Sequence, residues 1–149
     1  MKRLPLLGLA VVLALSATAW AGSIDTGTPL ISGNVETFEN RHSTARTDLS
    51  EHQLQALSRW LEQHRSGWQG MITPTTGEPA QLGVSLSHSD GSTTSMSVIA
   101  RASGGYYLRL TGPHKWAYRS FLGIFKSWAA TRSLSDQELA ALHNLVGAT

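Results

Sequence analysis

Two arginines and one tyrosine in the second half of the chain have the spacing of an anion-binding site. The residues on either side alternate between apolar and polar types, which is typical of antiparallel strands with one buried face. A three-residue loop at 103–105 places Arg101 opposite Tyr107. It also places Arg109 on the same face, opposite Ile99. Two guanidinium groups flanking a phenol can hold a carboxylate or phosphate through paired hydrogen bonds.

The surrounding segment extends this combination of positive charge and aromatic rings. Residues 91–135 contain no Asp or Glu and carry a formal charge of +6. This composition suits an anionic or ring-bearing ligand, which is bound by charge and by stacking. The alternative is a solvated charged face with the aromatic residues in the core. The predicted ligand-binding residues are Arg101, Tyr107, Arg109, Lys115, Trp116 and Arg119.

The total charge argues against nucleic acid as the partner. The chain has 12 basic and 10 acidic residues, but Lys2 and Arg3 belong to a segment that we expect to be removed. The remaining chain has equal numbers of each sign. Because residues 22–90 carry a net charge of −4, the positive charge is confined to the second half. We therefore expect an anionic small molecule, a glycan or an acidic protein as partner.

The sequence lacks the residues that most kinds of catalytic or metal chemistry require. The chain has no Cys, so thiol nucleophiles, disulfides and thiolate metal sites are excluded. None of the six His forms a metal-binding pair, and we predict no metal, no cofactor and no catalytic residue. Residues 25–27 match the Asp-Thr-Gly triplet of aspartic proteases, but no second Asp triplet follows. Residues 88–90, His-Ser-Asp, are adjacent at a hairpin tip and cannot converge as a triad.

The N-terminus has the pattern of a secretory signal peptide. Lys2 and Arg3 precede an apolar run over residues 4–15, and small residues follow up to Ala21. We expect cleavage after Ala21 and a periplasmic or secreted product with no stable membrane anchor. The alternative is an uncleaved anchor, but the apolar run is shorter than the roughly 20 residues of a spanning helix.

The next elements are an arm and a helix. Residues 22–48 have no sustained apolar period, so we interpret them as a flexible arm ahead of a single domain at 49–149. Ser50 and Gln53 form a capping box, and apolar residues then recur at helical spacing as far as His64. The same kind of start at Ser135 predicts a second helix over residues 136–146.

The region between the two helices has the pattern of strands. Residues 68–73 indicate a short strand, 74–79 a loop, and three alternating runs then predict a meander. A three-residue loop at 89–91, with Gly91 left-handed, pairs Leu86 with Thr94 and keeps the apolar faces together. Residues 116–130 have helical spacing, although part of this segment could be a strand.

These observations predict an α+β fold, in which an antiparallel meander of three or four strands packs against two or three amphipathic helices. The predicted function is a small exported binding or interaction protein, of inhibitor or immunity type, that uses its basic and aromatic surface. The alternative is a cell-envelope hydrolase with a His and a carboxylate brought together by the fold. A third possibility is a structural envelope protein that polymerises through its sheet edge.

Overall fold

The computed structural model describes residues 21–71, 79–112, 118–120 and 126–148. These residues form a ten-stranded antiparallel sheet and two α-helices. The strands are β1 (Ala21–Ser23), β2 (Leu30–Glu39), β3 (His42–Asp48), β4 (Ser66–Gly70), β5 (Ala80–His88), β6 (Thr93–Ala100), β7 (Tyr106–Thr111), β8 (Tyr118–Ser120), β9 (Lys126–Ser127) and β10 (Ala129–Leu134). Helix α1 (Glu51–Gln63) follows β3, and helix α2 (Asp136–Val146) follows β10. Across the sheet the order is β3-β2-β5-β6-β7-β10-β4-β1-β8-β9.

Both helices lie where the sequence predicts them, because their starts are encoded locally. The Ser50 side chain accepts a hydrogen bond from the Gln53 amide, and the Gln53 side chain accepts one from the Ser50 amide. The corresponding capping box at α2 uses Ser135 and Glu138. Helix α2 ends at Gly147, which has a φ of 72°. None of the helices in the described ranges is long and apolar enough to cross a membrane.

The β5–β6 hairpin confirms the predicted register. Leu86 lies opposite Thr94, Val84 opposite Met96, and Leu82 opposite Val98. The loop closes with Gly91 at a φ of 81°, the left-handed conformation that the turn was expected to need.

The β6–β7 hairpin differs from the predicted register by two residues. Ala100 pairs with Tyr106 rather than with Leu108, and the loop contains Arg101 to Gly105. The Arg101 amide donates to the Gly105 carbonyl at 2.9 Å, so Arg101 closes the loop instead of lying opposite Tyr107. Two consecutive glycines, Gly104 and Gly105, both have positive φ and permit this longer turn. A shift of two residues keeps every side chain on its predicted face.

Most of the segment expected to be a flexible arm is in the sheet. Strand β2 pairs with both β5 and β3. All seven residues of β3 are exposed, so this strand has no apolar alternation that the sequence could show. It is held by backbone pairing with β2, which depends on tertiary structure rather than on local pattern. The prediction of an arm over residues 22–48 is therefore corrected to three strands, β1, β2 and β3.

The region after β7 also forms strands. The described parts of residues 116–130 are extended, and β10 pairs with β7 along all six of its residues. The helix considered for this region is therefore not found in its described part; residues 113–117 and 121–125 lie outside the description. The predicted strand at 68–73 is observed over Ser66–Gly70, and residues 72–78 also lie outside the described ranges.

The predicted fold class is therefore wrong in its proportions. A sheet of ten strands with two helices replaces the expected meander of three or four strands with two or three helices. The additional strands come from the supposed arm, as β1 to β3, and from residues 118–134, as β8 to β10. One apolar core lies between the inner sheet face and the two helices. Its fully buried residues include Leu57, Trp68, Leu108 and Leu142.

Candidate functional site

The outer face of the central strands carries two of the predicted binding residues, Tyr107 and Arg109. Alternation along β5, β6 and β7 directs the leucines and valines to the core and leaves hydroxyl side chains outside. Ser85 and Ser95 are paired and exposed on this face, and Thr111 lies opposite Ser95. The outer face of these strands is therefore rich in Ser and Thr.

Arg101 is held over this face from the β6–β7 loop. Its guanidinium carbon lies 5.4 Å from the centre of the Tyr107 ring, within the range of a cation–π contact. Its Nη2 donates a hydrogen bond to the Ser133 hydroxyl oxygen at 2.8 Å. None of the ion pairs between described residues includes Arg101. The guanidinium is thus oriented by a ring and a hydroxyl while its residue stays exposed to solvent.

Arg109 lies two residues further along β7, on the same face as Tyr107. Its neighbours on the adjacent strands are Ser97 of β6 and Thr131 of β10. Two residues of a strand span about 7 Å, so Arg109 lies about this far along β7 from Tyr107, whose ring is covered by Arg101. We call the pair of residues Arg101 and Arg109 the Arg101 column. The residues opposite Arg109 are hydroxyl-bearing, so they add hydrogen-bonding groups and no negative charge.

Tyr107 packs against the guanidinium group of Arg101. Only 7% of the residue is exposed, and Ile99, which lies opposite on β6, is fully buried. With Arg101 over its ring, Tyr107 has little surface for stacking on a ligand. The geometry therefore gives Tyr107 the role of orienting the Arg101 guanidinium.

The other predicted site residues are not brought to this column by the described structure. Arg119 pairs with Ser23 of β1 and Lys126 of β9. Its strand, β8, lies four positions from β7 in the sheet order, or about 19 Å along the sheet at the usual strand spacing. Lys115 and Trp116 lie outside the described residues. Ser133 is not among the residues predicted from the sequence, although alternation along β10 places it on the outer face and Arg132 on the inner face.

A second polar cluster joins the C-terminal end of α1 to the start of α2. Arg132 Nη2 donates to Glu138 Oε1 at 2.9 Å, and His64 Nε2 lies 3.6 Å from the same oxygen. Glu138 Oε2 accepts from the Ser135 amide at 2.9 Å. The hydrogen bond from Arg132 is the main cause that lowers the pKa of the Glu138 carboxyl below its ordinary value. We call these three side chains, Arg132, Glu138 and His64, the interhelix clamp.

His64 is also fixed by its own helix. Its ring stacks on Trp60 with 4.1 Å between centroids, and its Nδ1 bonds to the Trp60 carbonyl oxygen at 2.7 Å. Its backbone carbonyl accepts from Trp68 Nε1 at 2.6 Å. Through these contacts His64 contributes to the packing between α1, β4 and α2.

The remaining motifs have structural roles. Asp25 of the Asp-Thr-Gly triplet accepts from the Gly27 amide at 3.0 Å, which forms a local turn. In the hairpin tip, hydrogen bonds from the Ser92 side chain and amide lower the pKa of Asp90. The ring nitrogens of buried His88 bond to the Thr28 carbonyl and the Thr94 hydroxyl. The described residues contain no cluster of three or more His, Asp or Glu side chains that could hold a metal ion.

Comparison of the chain with protein-family models, with curated proteins and with solved structures gives no match.

Proposed function

We propose that this chain is a small exported binding protein that holds an anionic ligand, or an acidic surface of a protein partner, at Arg101 and Arg109. The observation that supports this proposal best is the orientation of Arg101. Its guanidinium is fixed between the Tyr107 ring and the Ser133 hydroxyl, and it enters no ion pair with a described residue. A preoriented cation loses less conformational entropy when it binds an anion.

The chemistry around the column favours a carboxylate, phosphate or sulfate group on a hydroxyl-rich or polar body. Arginine can donate two parallel hydrogen bonds to such a group. The hydroxyls of Ser97 and Thr131 beside Arg109 can donate and accept further hydrogen bonds. Residues 91–135 contain no Asp or Glu, so the local sequence around both arginines is positively charged. The export part of the proposal is supported by the signal-peptide pattern of residues 1–21.

Two double variants with the same change in net charge test this proposal. The first is Arg101→Gln with Arg109→Gln, and the second is Arg41→Gln with Arg46→Gln in the β2–β3 hairpin at the edge of the sheet. Arg46 lies opposite Glu36, so its charge is balanced within its own hairpin. Labelled polyglutamate and inorganic phosphate are the probes, titrated at low and moderate salt.

The first double variant should lose at least about tenfold in affinity. A charge-assisted hydrogen bond contributes about 1.5–3 kcal/mol, and exposure of the Arg101 residue to solvent reduces this contribution. The control should lose less than about twofold. Equal losses would mean that the probes respond only to net charge, and the proposal would fail.

Among the described residues, the His–carboxylate ion pair open to the hydrolase alternative is His64–Glu138. We do not propose it, because both carboxylate oxygens of Glu138 already accept hydrogen bonds, from Arg132 and from the Ser135 amide. The hydrogen bond from Arg132 also lowers the pKa of the Glu138 carboxyl, which makes its carboxylate a weaker general base.

A further inference from the structure

An open groove of about 780 Å³ lies between the start of β2 and one side of α1. Buried Leu49 and Leu54 are among its lining residues, and Glu51 and Arg59 of α1 also border it. The groove lies between β2 and α1. It is therefore separate from Arg101 and Arg109, which lie in the β6–β7 loop and in β7.

One wall of the groove is a strand edge with unused pairing capacity. Strand β3 pairs with β2 only from Asn34 to Glu39. The Leu49 amide makes one further bond to the Gly33 carbonyl at 2.9 Å, and the chain then turns into α1. Strand β5 therefore flanks residues 30–32 on one side. On the other side, which faces α1, no described strand pairs with these residues. Such an edge can accept an added strand through its backbone groups.

A β-bulge aims an apolar side chain away from the sheet at this point. Leu30 pairs with His88 and Ser32 pairs with Ser87, so Ile31 is the extra residue between them. Ile31 is 61% exposed and lines the groove. Bulges interrupt a ladder locally and redirect a side chain, and they are frequent beside functional sites. The bulge thus presents a large apolar group to whatever enters the groove.

The charges of α1 define a direction along the groove. Glu51 is the first residue of α1 and lies close to the Gly33 end of the open edge. Arg59 is eight residues further along α1, or about 12 Å at the helical rise. An extended chain covers this distance in about four residues. A strand that continues the line of β3 would run antiparallel to β2, with its N-terminal part near Glu51.

We propose that this groove binds an extended peptide segment of a partner protein, which adds as an antiparallel strand to residues 30–32 of β2. The segment has a basic residue near Glu51, an acidic residue about four positions later near Arg59, and apolar side chains between them. The apolar side chains contact Ile31, Leu49 and Leu54, whereas backbone hydrogen bonds to β2 provide binding that depends little on sequence. The occupant is thus identified by the order of its charges.

The test uses a panel of seven-residue blocked peptides with Lys at position 2, Glu at position 6 and Val, Thr, Leu or Tyr between them. A matched panel has Lys and Glu exchanged. Binding to the mature chain is followed by amide and methyl NMR shifts, which give both the affinity and the location. The first panel should bind at least fivefold more tightly, with the largest shifts at residues 30–32. The double variant Glu51→Lys with Arg59→Glu should reverse this preference.

Two further variants separate the groove from other surfaces. Ile31→Ser should weaken binding at least fivefold without changing the melting temperature, because this side chain is already mostly exposed. Trp128→Ser is its control, since Trp128 is also a large exposed side chain, at 52%. The Arg101→Gln with Arg109→Gln variant should bind these peptides normally. Absence of binding, equal affinity for the two panels, or shifts located outside the groove would overturn the proposal.

Discussion

The interhelix clamp allows a quantitative test of the structure through Glu138→Gln. Glutamine has one carboxamide oxygen, so it can keep the hydrogen bond from the Ser135 amide or the one from Arg132, but not both. The Arg132 side chain is only 18% exposed, and its Nη1 is buried without a hydrogen-bond partner among the described residues. The substitution therefore leaves a mostly buried guanidinium facing an amide instead of a carboxylate.

The expected loss of stability at neutral pH is about 2 kcal/mol, since a hydrogen bond to a charged group contributes about 1.5–3 kcal/mol. For a domain of this size, that loss lowers the melting temperature by about 6–8 °C. The matched control is Asp136→Asn, which removes the same charge from an exposed side chain in the same helical turn. Because Asp136 acts only through the helix dipole, its loss should be at most about 1 kcal/mol.

Acid should remove the difference between the wild-type chain and Glu138→Gln. The pKa of Glu138 is lowered in the fold from its ordinary value of 4.5, chiefly by Arg132, so the unfolded chain binds the proton more readily. The stabilisation is therefore present above about pH 4.5 and is lost as the pH falls through the lower pKa of the folded state. Urea unfolding at pH 7, 5, 4 and 3 measures this. A difference that does not depend on pH, or one equal to that of Asp136→Asn, would refute the clamp.

Two further predictions concern stability, and both use urea unfolding. His88 is 1% exposed, and its Nδ1 must donate to the Thr28 carbonyl, because that oxygen can only accept. His88→Leu should cost about 2–3 kcal/mol by leaving the buried Thr94 hydroxyl unpaired, and adding Thr94→Val should recover part of it; an unchanged Leu variant would contradict this role. Gly91→Ala should cost about 1 kcal/mol through its φ of 81° alone, since no atom lies within 4 Å of the added Cβ. Gly91→Asn should cost less than Gly91→Ala, and equal stability of all three chains would argue against the left-handed turn.

Features encoded over a few neighbouring residues could be predicted from the sequence. Both capping boxes depend on a Ser and on the residue three positions later, and both helices begin where these pairs predict. The β5–β6 register followed from the requirement that two apolar faces agree across a short loop. In each case the stabilising contact is within the segment itself or between adjacent segments.

Features that depend on distant partners could not be predicted in this way. Strand β3 has no buried side chain, so nothing in its pattern distinguishes it from a loop; only its pairing with β2 makes it a strand. The β6–β7 loop contains two glycines that both tolerate positive φ, and two loop lengths therefore keep the same faces inside. The clamp joins His64 to residues more than 60 positions later, and their contact arises from the packing of α1 against α2.

The strand faces of the proposed site residues could be predicted in part from the sequence. Alternation correctly placed Arg109 and Tyr107 on the outer face, and the register error moved Arg101 into the loop without removing it from the Tyr107 ring. Arg119 lies on β8, four positions from β7 in the sheet order, and this strand order could not be derived from neighbouring residues alone.

The most direct test of the proposed anion site is an NMR titration of the arginine Nε–H signals. The protein is residues 22–149, without the predicted signal peptide, and the ligands are inorganic phosphate and polyglutamate at constant ionic strength. The signals of Arg101 and Arg109 should shift together with one saturable affinity, while those of Arg46 and Arg65 stay unchanged. Shifts of similar size at all exposed arginines, or none at Arg101 and Arg109, would contradict the proposed site.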